Sequence, residues 1–106
     1  MKLPNEIESK LNSLFELCIK HKVIKLFVFG SVPKGDFNPK TSDLDLIVEL
    51  DIQDPVVKGE TLMKFWSELE TLFKRKVDLL TEKKLRNPYL INEIENSKVL
   101  LYDRAS

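Results

Sequence analysis

Apolar residues recur along this chain in two rhythms. Between Asn5 and Lys22, the residues Ile7, Leu11, Leu14, Phe15 and Cys18 fall three and four apart, the spacing of one helix face, and predict an opening helix. Val23 to Phe29 is short, β-branched and aromatic, and it stops at Gly30, as a buried strand running into a turn does. Residues 30–42 (GSVPKGDFNPKTS) concentrate Gly, Pro, Asn and Ser, and predict a loop with one short helical turn. In Asp43 to Leu50 (DLDLIVEL) the period becomes two. Leu44, Leu46, Val48 and Leu50 share one face, assigned to the core, while Asp43, Asp45, Ile47 and Glu49 share the other.

Asp54-Pro55 has the form of an N-cap followed by proline at the first helical position, and Leu62, Phe65, Trp66, Leu69, Leu72 and Phe73 then form a helical stripe. Gly59 is expected to delay the start of that helix to about Thr61. Lys76 to Thr81 reads as a third strand, Asn87-Pro88 opens a short helix ending near Asn96, and Lys98 to Tyr102 is a fourth strand. The resulting order is α-β-β-α-β-α-β, an α/β (α+β) class chain with no internal repeat, expected to be one domain over residues 1–106.

Composition narrows the function. Among 106 residues, 17 Lys+Arg balance 17 Asp+Glu, so the chain lacks the basic footprint usual for nucleic-acid binding. No apolar run approaches the ~20 residues that span a bilayer, and the N-terminus has no signal-type stretch, which predicts a cytoplasmic protein without membrane contact. A single Cys18 and a single His21 exclude an internal disulfide and the usual zinc sets. Any phosphate chemistry here needs its positive charge from metal ions.

Three features suggest such chemistry. Asp43 and Asp45 stand on one strand face about 6.5 to 7 Å apart, close enough to ligate a shared metal pair, although the same pattern suits a solvated strand edge. Gly30-Ser31 follows a strand directly, where glycine permits close backbone approach, N–H groups can cradle phosphate and the hydroxyl adds a donor; an ordinary turn looks the same. Asp78 lies between Val77 and Leu79 in an apolar strand, where a carboxylate needs a partner. That partner is either a metal shared with Asp43 and Asp45 or a cation such as Lys76 or Arg75.

Taken together, VFGS (28–31), KG (34–35), SDLDLIVEL (42–50) and KVDLL (76–80) resemble the minimal nucleotidyltransferases of the DNA polymerase β superfamily, specifically the MntA-like antitoxins partnered with HEPN toxins. The resemblance covers nearly the whole chain. It implies the nucleotidyltransferase fold, with a mixed four-stranded sheet and helices packed on it. It further implies that Gly30 and Ser31 hold the β and γ phosphates of ATP, with Lys34 and Ser42 on the nucleotide side. Asp43, Asp45 and Asp78 would bind two Mg2+ ions, with Asp78 also the candidate base. Val32-Pro33 stands where the family usually carries an arginine-bearing segment, and proline there predicts a stiffer loop.

The remaining residues are given structural roles. His21, between Lys20 and Lys22, is expected to be an exposed helix-end cation, Cys18 a core filler, and Phe65 and Trp66 core residues. Lys74-Arg75-Lys76 and Lys83-Lys84 are expected to be solvated helix ends. The leading reading is an enzyme that moves AMP from ATP onto a hydroxyl with release of pyrophosphate. By the resemblance, the acceptor is a tyrosine of a HEPN ribonuclease toxin and this chain is the antitoxin in a heteromeric complex. The alternative is an inactive binding module that neutralises its partner by contact. A phospho-acceptor signalling domain fits poorly, since Gly30-Ser31 occupies the end of the first strand, where that chemistry needs paired acids.

Overall fold

The computed structural model describes residues 3–35, 37, 38, 42–81 and 87–105. Its elements are α1 (Asn5–Glu8), α2 (Leu11–Lys20), β1 (Val23–Phe29), α3 (Ser31–Lys34), β2 (Leu44–Leu50), α4 (Pro55–Phe73), β3 (Val77–Thr81), α5 (Pro88–Ser97) and β4 (Val99–Asp103). The strands form one mixed sheet in the order β3-β2-β1-β4. β1 runs antiparallel to β2 and to β4, while β2 and β3 are parallel and joined through α4, the kind of crossover that parallel neighbours require. This is the mixed four-stranded sheet with helices that the sequence implied.

Both rhythms of the sequence are explained by one buried layer. Leu44, Leu46, Val48 and Leu50 from β2 and Leu26 and Val28 from β1 pack with Ile7, Leu14 and Cys18 of the first helices and Phe65, Leu69 and Phe73 of α4. Cys18 is fully buried, and burial pushes its thiol up to about 12, so it is an inert core residue as expected. Among the described residues no helix is long and apolar enough to cross a membrane.

The structure departs from the sequence reading in four places. The opening helix is broken: Lys10 turns out of the helical range (φ −114°, ψ 11°), its N–H donates to the carbonyl of Ile7 three residues back, and its Nζ donates to the carbonyl of Leu72 at 2.6 Å. The tie to the end of α4 fixes the break. Next, α4 begins at Pro55 rather than near Thr61, because the Asp54 carboxylate accepts hydrogen bonds from the N–H groups of Val56 and Val57. A cap of this kind offsets the cost of about 1 kcal/mol for one interior glycine.

His21, expected outside, is 6% exposed. Its ring is tilted on Phe65 with centroids 5.6 Å apart, and its Nε2 hydrogen bonds Glu68 on α4, which also accepts from Lys20 at 2.6 Å. Those two bonds, Lys20 first, hold the Glu68 carboxyl below the ordinary range. Arg75 is also not a solvated helix end, as described below; Lys83-Lys84 lies outside the described residues.

Gly59 supplies a test of the early helix start. An added Cβ there meets nothing within 4 Å, so Gly59→Ala is expected to raise stability by about 0.5–1 kcal/mol in a urea titration. No gain would mean that residues 55–60 are not helical in solution.

Candidate active site

Three strands bring the acids together through their register. Asp45 of β2 lies opposite Phe29 of antiparallel β1 and opposite Asp78 of parallel β3. Cross-strand partners share a face, so Phe29, Asp45 and Asp78 form one row across the sheet, on the face turned away from the leucine core. The next row is apolar: Phe27, Ile47 and Leu80. Ile47, grouped with the acids by alternation, is only 1% exposed, so this face is covered at its second row.

The register of β3 is fixed one residue before Asp78. The Val77 N–H donates to Glu70 Oε2 at 3.0 Å, and the Val77 carbonyl accepts from the Trp66 indole at 2.6 Å, so α4 holds both backbone groups of that residue. Trp66 is therefore a polar anchor as well as a partly buried packing residue. The sequence offered its stripe position but not this bond.

Asp45 and Asp78 stand directly opposite each other on β2 and β3, so each carboxyl lies in the field of the other. Burial first, then the charge and hydrogen bond of Asp78, then the charge of Asp43, push the Asp45 carboxyl up to about 6. The opposed reading of Asp78, a pair with Lys76 or Arg75, is not what the structure has: Lys76 sits 4.0 Å from Asp43, and Arg75 bonds the Ser42 carbonyl. Asp43 is half exposed, just before β2, and acts on Asp45 through space.

Gly30 closes the site from the side of β1. Its φ of 76° and ψ of −129° belong to a region that L side chains rarely adopt, and a Cβ added there would lie 2.3 Å from Asp45 Oδ2. Glycine is thus required twice, by conformation and by the carboxylate against it. Ser31 begins α3 immediately beyond. The expected short helical turn in this loop is α3, and its Val32 is 4% exposed within the main core, while Gly35 in the left-handed conformation ends it. Pro33 sits in the first turn of the helix, where its missing N–H has no helical acceptor to lose.

The other two predicted nucleotide-side residues are engaged within the chain. Lys34 Nζ donates to Glu93 Oε1 of α5 at 2.8 Å, and the Ser42 hydroxyl accepts from the Asn38 N–H at 2.8 Å.

Carboxylate oxygens are the donors that a hard divalent cation takes, and two opposed carboxyls, with Asp45 held above its ordinary range by burial and by the charge of Asp78, have the right chemistry to hold one. Among the described residues no three acids are yet drawn close enough to form a ready-made metal cluster, since Asp43 turns toward Lys76. A cavity of about 490 Å³ at the far end of β2, around Glu49, Asp51 and Lys58, includes none of these acids.

Comparison with known proteins adds the family. The family model described as a nucleotidyltransferase domain matches residues 6–101. The chain belongs to this nucleotidyltransferase family. A Methanocaldococcus jannaschii relative named "Putative protein adenylyltransferase MJ1379" is 35% identical over 80 residues, spanning 76% of this chain and 78% of its own. Another from the same organism, "Putative protein adenylyltransferase MJ0126", is 31% identical, spanning 81% and 84%. Among solved structures, a "putative minimal nucleotidyltransferase" superposes with TM-score 0.69 at 26% identity, covering 88% of this chain and 90% of that one. A Shewanella oneidensis complex described as a tri-AMPylated HEPN toxin with its MNT antitoxin superposes with TM-score 0.56 at 20% identity, covering 92% and 73%. At that identity the likeness is one of fold.

The carboxyl pair of this nucleotidyltransferase domain gives a pH signature. A carboxyl whose folded-state pKa exceeds its unfolded value of 3.8 contributes stability below about pH 4 and loses it as pH rises through about 6. Asp45→Asn removes that loss. In EDTA, the variant's stability relative to the parent should therefore rise between pH 4 and 7 by about 1 kcal/mol, after allowance for solvent screening, and then level off. A pH-independent difference would mean that the two carboxyls do not meet. Gly30→Ala should destabilise by about 1–3 kcal/mol through strain and displacement of Asp45, and Asp45→Gly in the same chain should recover part of that loss in thermal unfolding.

Proposed function

We propose that this domain transfers AMP from ATP to a hydroxyl of a protein partner, a tyrosine of a HEPN ribonuclease toxin, and so acts as an antitoxin. The observation that carries the reading is the Asp45–Asp78 pair held against Gly30 at the end of β1. The names of the adenylyltransferase relatives and the toxin–antitoxin neighbours support the same direction. The half-exposed Asp43 at the entrance to β2, beside the acid row, suits an acceptor presented by another protein.

In this reading Asp43, Asp45 and Asp78 hold two Mg2+ ions, which when bound lower the pKa of the acceptor oxygen and neutralise the departing pyrophosphate. Gly30 lets the β and γ phosphates approach the backbone, and Ser31 donates its hydroxyl to them. Lys34 exchanges Glu93 for phosphate oxygens, a swap between two exposed partners that costs little. Ser42 lies beside the nucleotide. The acceptor oxygen attacks the α-phosphorus, the bond from that phosphorus to the β-phosphate oxygen breaks, and the acceptor proton passes to Asp78.

A second reading, a non-catalytic module that silences its partner by contact, is favoured by the internal engagement of Lys34 and Ser42. One assay separates the two. The chain is incubated with ATP, Mg2+ and a HEPN toxin, and the toxin's intact mass is measured. Catalysis adds AMP to the toxin, and Asp45→Asn or Asp78→Asn slows that addition by at least about 10³-fold, roughly 4 kcal/mol of barrier. A toxin silenced without a mass change establishes the module.

A further inference from the structure

Arg75, a candidate partner of Asp78 by sequence and unused by the proposed mechanism, has contacts that converge on the entrance to β2. It follows Lys74, which ends α4 in the left-handed conformation (φ 53°), and precedes β3 by two residues. From there its Nη1 donates to the Ser42 carbonyl at 3.2 Å, and its guanidinium lies over the Phe37 ring, 4.8 Å from the centroid. Residues 38 and 42 are closed on each other: the Ser42 N–H donates to the Asn38 carbonyl at 2.9 Å, and the Asn38 N–H donates to the Ser42 hydroxyl. Arg75 thus braces both ends of the segment that leads into Asp43.

The bond also continues the sheet. Leu44 pairs with Val77 and Asp45 with Asp78, and the Leu44 N–H donates to the Lys76 carbonyl at 3.1 Å. Extending the same register outward sets Asp43 opposite Lys76, whose Nζ is 4.0 Å from Asp43 Oδ2, and Ser42 opposite Arg75. Side chains therefore carry the β2–β3 alignment two residues past the last paired backbone.

We infer that Arg75 is a positioning residue that holds Asp43 on the face of Asp45 and Asp78, acting through the Ser42 carbonyl and the Phe37 ring. The inference rests on the proposed metal reading of these three acids. A planar fork that donates to a carbonyl while stacking on an aromatic ring is specific to arginine, so lysine does not replace it.

The test uses the whole chain with Mn2+ as a Mg2+ surrogate, its binding followed by water-proton relaxation, together with amide hydrogen exchange by NMR. Arg75→Gln should speed exchange at the Ser42 amide at least tenfold while leaving Leu46 and Val28 in the core strands unchanged. It should also weaken Mn2+ binding at least fivefold. Arg75→Lys should behave like Arg75→Gln, and Phe37→Leu should give a smaller change in the same direction. Uniformly faster exchange across the sheet, or Mn2+ affinity equal to the parent's despite a loosened Ser42 amide, overturns the positioning role and leaves the metal reading standing. A parent chain whose Mn2+ binding is absent, or insensitive to Asp45→Asn, overturns the metal reading and this inference with it.

Discussion

Two carboxyl groups face each other across parallel strands, where burial and like charge oppose the ionisation of Asp45, and α4 holds the register that sets them there. Asp45 and Asp78 meet because β2 and β3 pair in one register, and a slip of one residue would turn either acid to the leucine face. Register in a parallel pair has no hairpin turn to set it. Here it is set from outside: Trp66 and Glu70 of α4 occupy the backbone groups of Val77, and the Lys76 carbonyl takes the Leu44 N–H. The two bonds to Val77 also occupy one residue of the outer edge of β3.

Most of the element order was legible because it rests on local spacing. The leucine alternation of β2, the stripe of α4 and the proline starts of α4 and α5 each lie within a few residues of chain, and the structure has all of them. The candidate acids were legible for a related reason: Asp78 in an apolar strand and Asp43 and Asp45 two apart are anomalies of local pattern. What could not be read depends on distant partners. His21 is buried because Glu68 and Phe65, more than forty residues later, receive its ring. Ile47 is buried on the face that alternation assigns to the acids, which local period alone does not show. Gly59 is a local exception: the Asp54 cap, itself visible in the sequence, outweighs the cost of one glycine, and α4 begins at Pro55.

The loop after β1 illustrates how a local oddity can be resolved by packing. Val32-Pro33 looked like a loss of cationic grip with a gain in stiffness. In the fold, Val32 is driven into the main core and Pro33 takes a position in the first helical turn that proline tolerates, so the pair anchors α3 against the sheet. Lys34 is then left on the outer side of that short helix, tied to Glu93 of α5. The Lys34 charge is therefore held by an exposed ion pair, an arrangement that a polyanion can displace at small cost.

Stability and chemistry occupy opposite faces of one sheet, and this division explains how so small a chain tolerates its acids. The face carrying Leu44, Leu46 and Val48 buries the hydrophobic surface that sustains the fold against α2 and α4. The other face can then accept a destabilising row at its end, with Phe27, Ile47 and Leu80 behind it to exclude water on one side only. Partial burial beside Asp78 and Asp43 raises the pKa of Asp45 to about 6 rather than far above it, so near neutral pH this carboxyl is largely ionised. Deeper burial would leave the carboxyls neutral and poor ligands, and full exposure would let water and monovalent ions satisfy them separately. The half-buried position keeps them both ionisable and in need of a common counter-charge, which is the property a divalent-cation site requires.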